Sequence, residues 1–289
     1  MSVNYNAVGW AQVAMQGIAI VLGVYVLARL ALDLATRRGL ASVKKHQDDV
    51  ESDTPPHTRC RGTAILIVAL AGVISTILTR ILELVTLFHH TGYKEELSQY
   101  SAVNFFAIAE GLCLFVTAIL MTKALTSPAK GFSVSRIMYT VLIVLLAVFA
   151  LVVFIIQTLQ IWRHFNGYMR LWRPTAILGH TYFALLGFTT LVIGVSLIRK
   201  LIQIRGANIP TAERSALKMF TFVALPVLTG MIVLGIVSRV GFTDRPYYYF
   251  FDDIHGYLAY AYISLIFNIW LNLLVFEFAR KAVKKLSTI

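Results

Sequence analysis

From Thr221 to Ala279 the chain reads TFVALPVLTGMIVLGIVSRV (221–240), GFTDRPYYYFFDDIH (241–255) and GYLAYAYISLIFNIWLNLLVFEFA (256–279). Each outer piece is an apolar run of about the 20 residues that a helix needs to cross a bilayer. The piece between them gathers Arg239, Asp244, Arg245, Asp252, Asp253 and His255 around the consecutive tyrosines Tyr247, Tyr248 and Tyr249. Tyrosine favours the membrane–water boundary, where its ring meets lipid and its hydroxyl meets water. The stretch therefore reads as a transmembrane helix, a wet hinge and a second transmembrane helix, and the hinge is the expected rim of any functional site.

The remainder of the 289 residues extends the pattern. Hydrophobic residues make up 58% and charged residues 14%, with a mean hydropathy of +0.73, whereas soluble domains carry about a quarter charged residues. Length and hydropathy place seven spans, at about 11–34, 63–88, 101–123, 137–161, 174–198, 217–239 and 255–278. The expected fold is all-α: one domain, 1–289, of seven transmembrane helices, with a flexible polar loop at 37–61. The N-terminal run lacks a charged n-region and a cleavage site, so it is expected to be a retained helix. Two cysteines, Cys60 and Cys113, are too few for a disulfide framework. Cys60 lies between two arginines near the membrane, where palmitoylation is an option.

Charge fixes the expected orientation. Lys and Arg collect in the first loop (Arg37, Arg38, Lys44, Lys45, Arg59, Arg61), the third (Lys123, Lys130, Arg136), the fifth (Arg199, Lys200, Arg205, Arg214, Lys218) and the tail (Arg280, Lys281, Lys284, Lys285). Those eighteen face six on the other side: Lys94, Arg163, Arg170, Arg173, Arg239 and Arg245. The positive-inside bias predicts an outside N-terminus and a cytoplasmic C-terminus, with the plasma membrane as the expected location. The net charge of +12 then follows from topology, and no nucleic-acid partner is expected. The tail RKAVKKLSTI is basic enough to lie on anionic lipid.

Ionisable groups inside spans are costly and usually mark a cavity or a partner. The second helix carries Arg80 and Glu83 at i, i+3, on one face. The third carries Asn104 and Glu110, the fifth His180 with Tyr182, the sixth ends at Arg239, and Asp252, Asp253 and His255 open the seventh. At about 1.5 Å per residue, Arg80 stands about 27 Å above the inner face, Glu110 sinks about 14 Å from the outer face and His180 about 9 Å. Every one falls in the outer half of the bundle, and the inner half reads as almost wholly apolar. The expectation is an outer-half polar cavity: Arg80, Arg239 and His180 on an anionic headgroup, Glu110 at the floor, and Asp252 and Asp253 holding Arg239. The same pairs, Arg80 with Glu83 and Arg239 with Asp252 or Asp253, also suit simple locks between helices.

Several chemistries are excluded or weakened. A retinal protein needs a mid-helix lysine in the seventh span, which has none. Rhodopsin-like receptors carry signature motifs where this chain reads LMTKAL and NIWLNLLVF. Haem needs a second buried His facing His180, and neither a phosphate loop nor a zinc-protease pair is present, so no cofactor, metal or enzymatic activity is expected. Glu110 with His180 as an acid/base pair is the one catalytic arrangement the spans offer.

The pattern IVSRV, a hinge, and YYYFFDD leading into the last helix resembles the fungal RTA1-like family of seven-helix membrane proteins. Arg239 matches the Arg that closes that family's sixth helix, Asp252 the Asp that opens its seventh, and Arg80 with Glu83 the charged pair in its second. The resemblance implies a fungal protein of the lipid-translocation and stress-resistance type. It leads to the expected function of binding or translocating an amphipathic lipid-like molecule, with membrane lipids as partners. The alternative is a seven-helix receptor for an external ligand.

Overall fold

The computed structural model describes residues 5–45, 56–88, 93–126, 134–164, 172–204, 211–243, 263 and 266–286. All the described elements are helical: α1 (Tyr5–Lys45), α2 (Pro56–Phe88), α3 (Tyr93–Thr126), α4 (Val134–His164), α5 (Trp172–Ile204), α6 (Thr211–Thr243), then a π-helical turn (Ile266–Leu271) that runs into α7 (Asn272–Leu286). In hydrocarbon every backbone N–H and C=O must be satisfied within the segment, and unbroken helices do this. Four buried hydroxyls follow the same rule: Thr76, Thr79, Thr122 and Thr189 each donate to the carbonyl four residues earlier.

Helices α1 to α6 are each long and apolar enough to cross a membrane. Their outward faces are apolar too, with Val21, Leu32, Ile177, Leu191, Val195 and Phe222 all exposed. Water would penalise such a surface and lipid does not, so the chain is an integral, multi-pass membrane protein.

Successive helices pack side by side, and α7 closes the bundle by returning onto α2, α3 and α1. Half of the α2 span is buried, against 22% of the α5 span, so α2 and its neighbour α3 form the centre. There Leu66, Ala69 and Val73 of α2 meet Leu114, Phe115 and Ala118 of α3, with Phe276 of α7 closing the layer.

The seventh helix differs from its expected span of 255–278. Its described part is short, and it continues past 278 to Leu286. The basic tail is therefore helical and packed onto the bundle through Leu286. Arg280, Ala282 and Val283 are buried, because acidic partners within the bundle receive Arg280. Likewise α1 extends to Lys45 and α2 begins at Pro56, so helix occupies both ends of the segment expected to be a loop. Pro56 suits that start, since a first-turn proline sacrifices no helical hydrogen bond.

Candidate functional site

The centre of the bundle is built from residues on four helices. Arg80 of α2 donates from Nη1 to Oε2 of Glu83, 2.6 Å away, and from Nη2 to Oε2 of Glu110 on α3, at 3.4 Å. Glu110 accepts a second bond on Oε1 from Nδ2 of Asn272, the first residue of α7, at 3.0 Å. Glu83 accepts from Nε2 of Gln16 on α1, at 3.1 Å. The result is one continuous chain, Gln16–Glu83–Arg80–Glu110–Asn272, with the guanidinium at its middle.

Local structure places each link. Arg80 and Glu83 share a face because three residues turn a helix by nearly one revolution. Asn272 directly follows the π-helical turn Ile266–Leu271. Such turns shift the helical phase of the residues after them and recur at functional positions. The shift presents Asn272, Val275, Phe276 and Ala279 as one buried stripe. The approach of α7 to α2 depends on Gly72, where a methyl group would lie 3.0 Å from Cβ of Cys113 and collide with the Phe276 ring.

Burial is uneven along the chain of contacts. Gln16, Arg80, Glu110 and Asn272 are all buried, while the Glu83 side chain keeps 29% of its surface. Glu110 is thus the closed end and Glu83 the accessible one. Among the described residues the cluster sets one guanidinium against two carboxyl groups, one more acid than base. Within it the acceptor Oε1 of Gln16 and the donor Nε of Arg80 lack partners. Glu83 offers only acceptors, so Gln16 must turn its amide nitrogen toward it, leaving the oxygen to face elsewhere.

Three of the residues expected at the site, Arg80, Glu83 and Glu110, are brought together. His180 is not; it stands exposed on α5. Arg239 lies on the described α6 backbone, and its side chain is outside the described residues, as are Asp252, Asp253 and His255. The expected lock of Arg239 on Asp252 or Asp253 therefore also lies outside them. Asn104 is half-buried, with Nδ2 unpartnered. Among the described residues, no three His, Cys, Asp or Glu side chains gather as a metal ion would require.

The expectation of an apolar inner half is overturned by a second cluster. Arg280 of α7 donates through Nε and Nη2 to Glu277, at 2.8 and 2.7 Å, and through Nη1 to Asp33 of α1, at 2.6 Å. Arg29 of α1 approaches Glu277 at 3.4 Å, and Arg37 donates to the carbonyl of Val283. The hydrogen bond to Glu277 holds the Arg280 guanidinium above its ordinary pKa; burial opposes this and Asp33 adds to it. The contacts 29 with 277, 33 with 280 and 37 with 283 keep one register, so α1 and α7 run parallel. Arg29 with Asp33 at i, i+4 in an apolar span, and Glu277 with Arg280 at i, i+3, were the sequence signals for it.

No protein-family model, curated protein or solved structure matches this chain.

Proposed function

We propose that this membrane protein binds an amphipathic, lipid-like molecule at the Arg80–Glu83–Glu110 cluster and translocates it across the bilayer. The observation that carries the reading is one guanidinium set against two carboxyl groups, of which Glu83 stays accessible, together with an orphaned acceptor on Gln16. A charge imbalance in a low-dielectric interior is costly unless something bound offsets it. The expected anionic headgroup on Arg80 fits poorly, because both ends of that guanidinium already bond carboxylates. A headgroup with a positive charge or several donors fits the open Glu83 end and the Gln16 oxygen. Its tail would run among the apolar side chains that line α1, α2 and α7. The resemblance to RTA1-like proteins, resting on Arg239 and Asp252, supports the same class of cargo. The proposed orientation, with the N-terminus outside, opens the Glu83 end toward the outer leaflet.

The test is transfer of fluorescent amphipaths in liposomes containing the purified protein, comparing an amine-headed with a sulfate-headed probe of equal chain length. The amine-headed probe moves, and Glu110→Ala lowers its rate at least tenfold. Wild-type vesicles that move neither probe would count against translocation. Saturable binding without movement assigns the cluster to ligand sensing, the receptor alternative.

A further inference from the structure

Helices α1 and α7 expose a second charged feature on their shared outer seam. On α1 the exposed or half-exposed stripe is Tyr25, Arg29 and Leu32; on α7 it is Leu274, Phe278 and Lys281. Both stripes have the i, i+4, i+7 spacing of one helix face. Each carries a cation on an aromatic ring: Arg29 lies 5.2 Å from the centre of Tyr25, and Lys281 5.0 Å from that of Phe278. Their side chains retain 42% and 43% of their surface.

Both cations reach toward the same carboxylate oxygen, Oε1 of Glu277, at 3.4 and 3.7 Å. That oxygen already accepts a 2.7 Å bond from Nη2 of Arg280, whose Nε and Nη1 donate to Oε2 of Glu277 and to Asp33. Three cations thus share two carboxylates, and the surplus positive charge lies on the two part-exposed groups of the seam. An exposed cation against hydrocarbon needs a counter-charge. Toward the bilayer centre the seam is apolar, with Leu22 and Leu274 exposed along it. We propose that the α1/α7 seam is a binding site for one anionic phospholipid. Its phosphate sits between Arg29 and Lys281, and an acyl chain lies along Tyr25, Leu22 and Leu274. The excess of positive charge next to an apolar track selects this occupant over a zwitterionic lipid.

Native mass spectrometry of the purified protein, equilibrated with phosphatidylserine or phosphatidylcholine of matched chains, reads the site directly. One phosphatidylserine is retained in preference to phosphatidylcholine. Arg29→Gln or Lys281→Gln weakens retention about five-fold, and the double variant about thirty-fold, from the roughly 1 kcal/mol that each cation near the membrane surface contributes. The charge-preserving pair Arg29→Lys and Lys281→Arg keeps it. Lys284→Gln, on the exposed side of the same helix end, leaves it unchanged. The proposal is overturned if the wild-type protein retains the two lipids equally, or if Lys284→Gln loses as much as the double variant. A lipid-free dimer that forms through this seam also overturns it.

Discussion

Arg80 joins the two acidic side chains of the central cluster, and its removal separates two kinds of cost. Replacing it with Met leaves Glu83 and Glu110 facing each other without a counter-ion, and breaking one side of a buried pair costs about 3–5 kcal/mol. Replacing Asn272 with Leu removes its hydrogen bond to Glu110, and side-chain hydrogen bonds between transmembrane helices are worth about 0.6–2 kcal/mol. In thermal unfolding of the detergent-solubilised protein, Arg80→Met is therefore expected to lower Tm several times as much as Asn272→Leu. Adding Glu110→Gln to Arg80→Met is expected to restore part of the loss, because it removes a charge that no longer has a partner. A Glu110→Gln rescue that fails would mean that packing, rather than charge balance, holds the cluster. The i, i+3 spacing makes Arg80 and Glu83 legible as a pair from the sequence. Gln16 and Asn272 are not legible in that way, because a single neutral amide in an apolar run carries no period, and α3 is apolar on all sides, so nothing marks which face turns inward.

The joining of α7 to the bundle is decided at two contacts with different physics. At Gly72 it is steric: Gly72→Ala drives a methyl group into the Phe276 ring, and overpacking of this kind costs about 1–3 kcal/mol. Phe276→Leu in the same chain frees that volume, so the double variant is expected to be more stable than Gly72→Ala alone. At the other contact the coupling is ionic. Arg280→Met leaves Glu277 and Asp33 without their shared donor, and the loss is expected to be non-additive with Asp33→Asn in a double-mutant cycle, with a coupling of about 0.5–3 kcal/mol. Additive losses would mean that the 2.6 Å contact contributes nothing to the docking of α7. The sequence concealed this helix end because RKAVKKL reads as solvated by composition. Its helical period says otherwise: Phe276, Ala279, Val283 and Leu286 recur at three- and four-residue steps, and Arg280 falls on their inward side. Composition averages over the faces of a helix; partner choice depends on one face.

At the scale of the whole molecule, hydropathy made the helices legible because each span answers to a single requirement, enough apolar length to cross hydrocarbon. Hydropathy left open how the helices rotate and which of them meet, since lipid and protein interior are equally apolar. The second cluster, at the Arg280 end, bears on topology. Parallel α1 and α7 can be linked only by an odd number of crossings in all, which agrees with six long helices and a short seventh. They also put Tyr5 and Leu286 at opposite ends of the bundle. The surplus of Lys and Arg then predicts the sides, with Arg37, Lys284 and Lys285 expected at the cytoplasmic end. In intact cells an epitope placed before Tyr5 is expected to be labelled by an impermeant antibody, and one placed after Leu286 only after permeabilisation. Labelling of both tags without permeabilisation would contradict the parallel register itself, whereas labelling of the C-terminal tag alone would keep the register and reverse the orientation. In the second outcome the Glu83 end of the buried cluster would open toward the cytoplasmic leaflet, and the amphipath would be loaded from inside the cell.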